Sequence, residues 1–202
     1  MHRSALIPSS ESQLLTRLPG GDLDQISTDG WAVFVRSAKH AWMLFPEEVA
    51  YEENDPVRDV ERIAIKPVAL EQVTSAREDV GRGLGRVERI CIARTLFAFR
   101  PGRPVGSTEL QLGRRKVEIP PGIRHDVVEI APQRLAGMLV TGPELRDLHF
   151  MPVDVGLVLE TGNHRVLIRT HGFFADPFLD PAPDSRHLVN CDLLPLETTR
   201  KS

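Results

Sequence analysis

Basic and acidic side chains occupy separate stretches of this sequence. Between residues 82 and 124 there are ten arginines or lysines against three acids, whereas residues 47–61 contain seven acids against one arginine. Clustered cations attract phosphates or acidic protein surfaces, and complementary potentials speed association. The pattern predicts a binding surface made of Arg100, Arg103, Arg114, Arg115, Lys116 and Arg124. The alternative interpretation is that the two stretches lie side by side in the fold, or are each simply solvated.

One histidine ends the motif Ile119-Pro120-Pro121-Gly122-Ile123-Arg124-His125. The motif resembles the second conserved motif of the cupins, in which a strand ends in a Pro-x-Gly-x-x-His turn. This resemblance implies a β-barrel that binds a divalent metal through His125 and acts as a small-molecule enzyme or binding protein. The upstream His-x-His and its following Glu are absent, however, and a metal site needs three or four ligands. A metal-free barrel and a plain surface turn are therefore the other interpretations.

The remaining reactive residues match no catalytic pattern. The chain has no Gly-x-Ser-x-Gly elbow, and its glycine-rich stretch at 81–85 lacks the Gly-x-Gly-x-x-Gly spacing and leads into a strand, which predicts a flexible turn. Cys91 lies between apolar neighbours of a predicted strand, where a thiol is usually inert. The sequence thus predicts no catalytic residue and no cofactor, apart from a metal under the cupin-like alternative. Four more histidines are interpreted as ordinary loop or edge-strand residues: His149, His164, His171 and His187.

The composition is that of an ordinary folded protein. The chain has 202 residues, of which 41% are apolar and 26% charged, and a net charge of -3. No N-terminal leader is recognisable, and no run approaches the roughly 18 apolar residues that a membrane helix needs. Cys91 and Cys191 form neither a disulfide framework nor a metal pair. We therefore expect a cytoplasmic protein without membrane contact.

Apolar and polar residues alternate along much of the chain, which predicts β-strands. Hairpins are expected at residues 31–45, 109–119 and 156–168, the first with a loop at 36–40 and the last with a loop at 160–164. Residues 87–99 carry apolar side chains on both faces, as central strands do. Shorter strands are expected at 62–65, 127–130, 145–150 and 188–194.

Two short helices and a loop complete the predicted elements. Ser10 and Gln13 have the spacing of a capping box, so residues 11–18 predict a helix that Pro19-Gly20-Gly21 ends. Pro132 at the first helical position allows one more helical turn at 133–138. Prolines from residue 173 to 184 predict a loop, because proline cannot donate a hydrogen bond to a sheet.

These elements predict an all-β fold, mainly an antiparallel sandwich or barrel, with one or two short helices. We expect an N-terminal helical segment at residues 1–20 and a single β-rich domain at 21–197. The similar layouts of 32–44 and 156–168 allow two related halves with a seam near 100–106, where proline and glycine interrupt the regular pattern.

Uneven charge and the lack of a catalytic pattern together predict a non-catalytic intracellular protein. We expect it to engage a macromolecule, most simply another protein, through charged β surfaces. Two alternatives stay open. One is the cupin-like small-molecule enzyme or binding protein that uses His125, and the other is nucleic-acid binding by the basic 82–124 stretch, which would weaken steeply with salt.

Overall fold

The computed structural model describes residues 5–49, 61–99, 103–105, 108–112, 115–119, 122–124, 127–130, 149–171, 174–180, 186–188 and 190–196. These residues form mostly antiparallel β-sheet with two short helices, α1 (Ser9–Leu15) and α2 (Leu70–Thr74), which confirms the predicted all-β class. The strands are β1 (Asp22–Thr28), β2 (Val33–Ser37), β3 (His40–Glu48), β4 (Glu61–Pro67), β5 (Glu78–Phe99), β6 (Arg103–Val105), β7 (Thr108–Leu112), β8 (Arg115–Ile119), β9 (Gly122–Arg124), β10 (Val127–Ile130), β11 (His149–Thr161), β12 (Arg165–His171), β13 (Phe174–Leu179) and β14 (Asp192–Pro195).

The 22-residue strand β5 connects two groups of strands in one large sheet. The strand order is β13-β12-β11-β5-β1-β2-β3-β4, and β10 and β14 also pair with β5. The first part of β5 pairs with β1, whereas its second part pairs with β11. Two further hairpin-like pairs, β6 with β9 and β7 with β8, form separate two-stranded sheets.

The two groups of strands share one hydrophobic core. Leu44 of β3 and Ile63 of β4 belong to the same buried cluster as Leu157 of β11 and Ile168 of β12. Leu15 of α1 is also part of that cluster. Removing this apolar surface from water is the main favourable contribution to folding. The predicted domain boundaries, at residue 20 and near 100–106, stay predictions.

Strand β11 changes the face that it turns to the core at Gly156. Val155 packs in a second buried cluster, whereas Leu157 lies in the shared core, although residues two apart in a regular strand share a face. The pairing of β11 with β5 shifts register between Asp154 and Gly156, as a β-bulge requires. A Cβ on Gly156 would lie 2.5 Å from the carbonyl oxygen of Ile168, so only glycine fits here.

Helix α2 covers part of the outer face of β1, β2 and β3. Val73 of α2 packs with Phe34 of β2 and Met43 of β3 in a third buried cluster. The Ser27 hydroxyl of β1 donates a 2.9 Å hydrogen bond to the carbonyl oxygen of Val73, which fixes the helix on the sheet. Phe45 of β3 packs at the border of this cluster.

The first helix differs from its prediction. It spans Ser9–Leu15 rather than 11–18, its N-cap is Pro8, and no side chain caps it. The carbonyl oxygen of Pro8 accepts the N–H groups of Glu11 and Ser12 instead. The predicted capping box of Ser10 and Gln13 is therefore wrong, because Ser10 already lies inside the helix.

The glycine-rich stretch 81–85 is also a correction, since it lies within β5 and is not a flexible turn. Opposite β1 the register shifts between Leu23 and Gln25, so β5 accommodates extra residues in a bulge. Gly83 and Gly85 have φ values of 60° and 95°, which side chains rarely tolerate. The glycines thus permit an irregular strand where the sequence pattern indicated a loop.

The predicted loop from residue 173 is wrong over Phe174–Leu179, which forms β13. Pro177 pairs with Ile168 of β12 inside this strand. β13 lies at one end of the strand order, and an edge strand tolerates proline when the missing N–H would face away from the sheet.

The three predicted hairpins are confirmed by the pairing of β2 with β3, β7 with β8 and β11 with β12. The first loop is shorter than expected, because Ser37 pairs with His40 across a two-residue turn. Strands β4 and β10 confirm the predicted strands at 62–65 and 127–130, whereas the last strand starts later, at Asp192. The helical turn at 133–138 and residues 145–148 lie outside the described residues.

Candidate interaction surface

The predicted binding residues are only partly placed by the structure. Arg100, Arg114 and His125 lie outside the described residues. Arg103 of β6 and Arg124 of β9 are direct cross-strand partners, so the fold brings these two positions together. The other two positions, Arg115 and Lys116, are both in β8. Their roles in binding stay predictions.

Three other arginines of the basic stretch form ion pairs. Arg82 pairs with Asp79, the Arg89 Nε lies 2.6 Å from Glu160 Oε2, and the Arg94 Nε lies 2.7 Å from Asp154 Oδ1. Each pairing neutralises a cation within the fold. The basic stretch therefore carries fewer free charges than its sequence suggests.

Arg62 is the centre of a mostly buried charge cluster on β4. Its guanidinium donates to both carboxylate oxygens of Glu11, at 3.0 and 2.7 Å, and it also pairs with Glu47. Burial of the guanidinium opposes its charge, but the hydrogen bonds and charges of Glu11 and Glu47 outweigh burial and raise the pKa of Arg62. This cluster attaches α1 to the edge of the sheet.

Asp154 is a second buried anion, with a side chain that is 1% exposed. It pairs with Arg94, and its Oδ2 accepts the backbone N–H of Ile7 at 2.8 Å. The backbone N–H of Asp154 donates to the carbonyl oxygen of Ala5 at 3.0 Å. These bonds hold the segment before α1 along β11, which is a structural role.

The remaining pKa shifts have structural causes. The hydrogen bond from Arg89 lowers the pKa of Glu160, and the charges of Arg89 and Arg165 add to that effect against the cost of burial. The same hydrogen bond raises the pKa of Arg89. Burial raises the pKa of Cys91, which is 1% exposed and packs in the second cluster. A thiol in this setting is poorly ionised and packs rather than reacts.

The turn between β1 and β2 displays a tryptophan. The Asp29 Oδ1 accepts the backbone N–H groups of Trp31 at 2.9 Å and Ala32 at 2.8 Å. Gly30, with φ of 89°, allows the tight turn between them. Such an Asx turn fixes the backbone without using the tryptophan side chain. Trp31 is 43% exposed, whereas Trp42, the other tryptophan, is buried in the core.

The exposed indole lies on an aromatic neighbour with a cation nearby. The Trp31 and Phe45 rings stack with centroids 5.5 Å apart. The Lys66 Nζ lies 5.1 Å from the centroid of the Phe45 ring, within cation–π distance. Within the described part of the chain, Lys66 has no carboxylate at ion-pair distance. We call Trp31, Phe45 and Lys66 the aromatic surface.

Strand β13 brings a further exposed ring to this region. The backbone N–H of Ala175 donates a 3.0 Å hydrogen bond to the carbonyl oxygen of Trp31. Phe174, the preceding residue, is 51% exposed. Two of the three large apolar side chains that are exposed among the described residues thus lie next to one backbone hydrogen bond; the third is Leu179.

The two strands at the ends of the sheet order each have a partly blocked outer edge. The N–H of Ile65 in β4 donates to Glu11 Oε2 at 2.8 Å, and the N–H of Ala175 in β13 donates to Trp31. N–H groups of residues two apart point to the same side of a strand. The next such residues are Pro67 and Pro177, which have no N–H. A proline and an occupied donor therefore stand where an added strand would pair.

No group of three or more His, Cys, Asp or Glu side chains among the described residues could hold a metal ion. His164 and His187 contact other side chains: His164 Nδ1 lies 3.6 Å from Asp180 Oδ1, and the His187 ring stacks on Phe178 with centroids 3.9 Å apart. Because His125 lies outside the described residues, the cupin-like alternative stays a prediction. Neither described helix is long and apolar enough to cross a membrane.

The aromatic surface was not predicted from the sequence. The signal that could have found it is Asp29-Gly30-Trp31, since Asp followed by Gly predicts a turn and therefore places the next residue at a hairpin tip. Phe45 and Lys66 carry no such signal, because their contact depends on the pairing of β3 with β4. No protein-family model, curated protein or solved structure matches the chain.

Proposed function

We propose that this chain is a non-catalytic cytoplasmic protein that binds another protein, and that the aromatic surface makes the central contact. The observation that carries the proposal is the exposure of Trp31 on a turn whose backbone is fixed by Asp29. Tryptophan is among the residues that dominate binding energy at protein interfaces. A rigid backbone lowers the entropy that association must overcome.

The packing below Trp31 supports this role. Phe45 continues the apolar cluster beneath α2 out to the surface, and Trp31 stacks on it. An exposed indole that rests on a packed ring is preorganised for contact, whereas a lone exposed apolar residue is ordinary. The surface combines an apolar centre with a cation, Lys66, as protein interfaces commonly do.

The blocked strand edges favour side-chain contacts over strand addition. A partner strand would need successive free N–H groups on β4 or β13, but two successive outward positions on each strand offer none, because Ile65 and Ala175 already donate and Pro67 and Pro177 have no N–H. Exposed edges without such protection are common sites of strand pairing between chains. Recognition by the Trp31 side chain avoids that route.

The test is photo-crosslinking in cells followed by binding with purified components. A photoreactive phenylalanine analogue replaces Trp31 in one protein and Leu179 in a second, because Leu179 is similarly exposed at 41% but lies at the other end of β13. We expect a specific protein adduct from position 31 alone. The partner identified in this way should bind wild type and Leu179→Ala alike, and Trp31→Ala at least about tenfold more weakly.

Equal affinity of the identified partner for wild type and Trp31→Ala, with both variants folded by circular dichroism, would contradict the proposal. Adducts from both positions with the same set of proteins would also count against it, because they would show non-specific contact. A nucleic-acid adduct from position 31 would instead support the alternative of nucleic-acid binding.

A further inference from the structure

We infer that the aromatic surface selects a protein segment that presents an apolar side chain next to a carboxylate. The inference rests on the proposed function and adds the chemistry of the partner. Its basis is the placement of Lys66 and Trp31 against the same ring, that of Phe45.

The apolar half of the recognition comes from Trp31. Trp31 is 43% exposed, and one face of its indole already stacks on the Phe45 ring. When a partner side chain packs on the indole, apolar surface of both the partner and Trp31 is removed from water. The turn is already fixed, so no mobile loop has to be ordered. Aromatic and aliphatic side chains fit this demand, whereas small polar ones do not.

The charged half comes from Lys66. The ammonium lies 5.1 Å from the Phe45 centroid and has no carboxylate partner among the described residues. Asp29, in the turn that carries Trp31, uses Oδ1 to accept two backbone N–H groups and so shapes the turn. A cation–π contact at an exposed site is weak, so an incoming carboxylate can add an ion pair to Lys66 at little cost. An incoming lysine or arginine would be repelled.

The backbone around Lys66 explains why side chains decide the choice. Lys66 stands between Ile65, whose N–H is used by Glu11, and Pro67, which has no N–H. A segment that lies beside β4 therefore cannot gain a regular ladder of main-chain hydrogen bonds there. Its affinity must come from the groups that meet Trp31 and Lys66.

The experiment uses the full chain and its own fluorescence. Trp31 is exposed and Trp42 is 2% exposed, so a bound segment should shift the emission of Trp31 while Trp42 serves as an internal reference. The probes are three synthetic peptides of equal length, with alternating leucine and glutamate, leucine and lysine, or glycine and glutamate. A single-stranded oligothymidylate is the fourth probe, because stacked bases with phosphates would offer similar chemistry.

We expect the leucine–glutamate peptide to shift the emission to shorter wavelength and to bind at least about tenfold more tightly than the other two peptides at low salt. Lys66→Met should weaken this peptide about two- to fivefold, whereas Lys39→Met, an exposed lysine in the β2–β3 turn, should not. Trp31→Phe should remove the signal, and calorimetry should then report the remaining affinity.

Three results would overturn the inference. They are equal binding of the leucine–glutamate and leucine–lysine peptides, an unchanged affinity in Lys66→Met, and a fluorescence response to the oligothymidylate but to no peptide. The first two would leave the proposed function standing if position 31 still crosslinks to a protein. The third, together with a nucleic-acid adduct from position 31, would remove both.

Discussion

Strands β4 and β13, which end the strand order of the large sheet, are partly blocked by the same arrangement but with different groups. In each, one outward N–H is occupied and the residue two positions on is proline, at Ile65 and Pro67 in β4 and at Ala175 and Pro177 in β13. The acceptor on β4 is a carboxylate that also pairs with a buried guanidinium, whereas the acceptor on β13 is a backbone carbonyl.

Because of this difference, the side chain at the β4 edge stabilises the fold, whereas the side chain at the β13 edge stays exposed. Because Glu11 serves Ile65 and Arg62 together, its loss would leave a buried donor and a buried charge with fewer partners. The carbonyl oxygen of Trp31 blocks the β13 edge with main-chain atoms only, so the indole stays available for contact. One edge therefore uses a side chain for structure, and the other leaves the Trp31 side chain exposed.

A third edge follows the same rule. The N–H of Asp154 in β11 donates to the carbonyl oxygen of Ala5, and Pro152 stands two residues before it. Ala5 forms an isolated parallel bridge with Val153, where β12 no longer covers β11. The segment before α1 thus occupies an outward N–H group of β11, as Glu11 occupies one of β4.

Replacing the carboxylate on β4 should have the largest effect. We expect Glu11→Ala to lower the free energy of unfolding by about 2–4 kcal/mol. It leaves the buried Arg62 with only Glu47 and the carbonyl oxygen of Ile63 as partners, and the Ile65 N–H without an acceptor. Urea denaturation followed by circular dichroism measures this change. The control is Glu71→Ala on the exposed face of α2, which should change stability by less than about 0.5 kcal/mol. A similar, small change in both variants would show that the Glu11 carboxylate does not stabilise the β4 edge.

Breaking the turn behind the β13 edge should cost less. Asp29→Ala removes the acceptor for the N–H groups of Trp31 and Ala32, but no charge is left buried, so we expect a loss of about 1–2 kcal/mol. The peptide that shifts Trp31 fluorescence should also bind more weakly, because the turn is less fixed. Asp29→Asn keeps an oxygen at the same place and should restore most of both properties. If Asp29→Ala lowers the free energy of unfolding as much as Glu11→Ala does, then the two edges do not differ in their contribution to stability.

The smallest effect is expected at an ion pair away from both edges. Glu160 accepts hydrogen bonds from Arg89 and Arg165 and forms ion pairs with both. Because these contacts lower its pKa, Glu160 stabilises the fold at pH values above 4.5, the ordinary pKa of a glutamate. That contribution is lost as the pH falls through the pKa of the folded state. Glu160→Gln should therefore lower the Tm by about one to three degrees at pH 7, and by less at pH 3. A gap that is the same at both pH values would show that the charge of Glu160 is not responsible.

Strand pairing could be predicted from the sequence wherever alternation was regular. The hairpin at residues 109–119 and the central position of 87–99 follow from residue types that suit one face or both faces of a sheet, as Ile90 in the core and Cys91 in the second buried cluster show. Some strand segments that contain glycine or proline, which are unusual in sheets, were missed. Gly83 and Gly85 resemble loop residues unless the opposite strand is known, and Pro177 excludes a strand unless its edge position is known.

The candidate surface was the least predictable part. Trp31 and Lys66 lie 35 positions apart, and only the order β2-β3-β4 brings both to Phe45. The charge pattern indicated other residues, because sequence alone cannot show which arginines are already paired. Arg94 is one example, since its partner Asp154 lies 60 positions away and is buried.

The close approach at Gly156 has a consequence for folding. Because no side chain fits between this residue and the carbonyl oxygen of Ile168, β11 and β12 can meet in one alignment only. A slip by one residue would bring Val155 or Leu157 to the narrow point, and neither could enter it. Gly156 therefore favours the native register of the β11–β12 hairpin over the registers shifted by one residue.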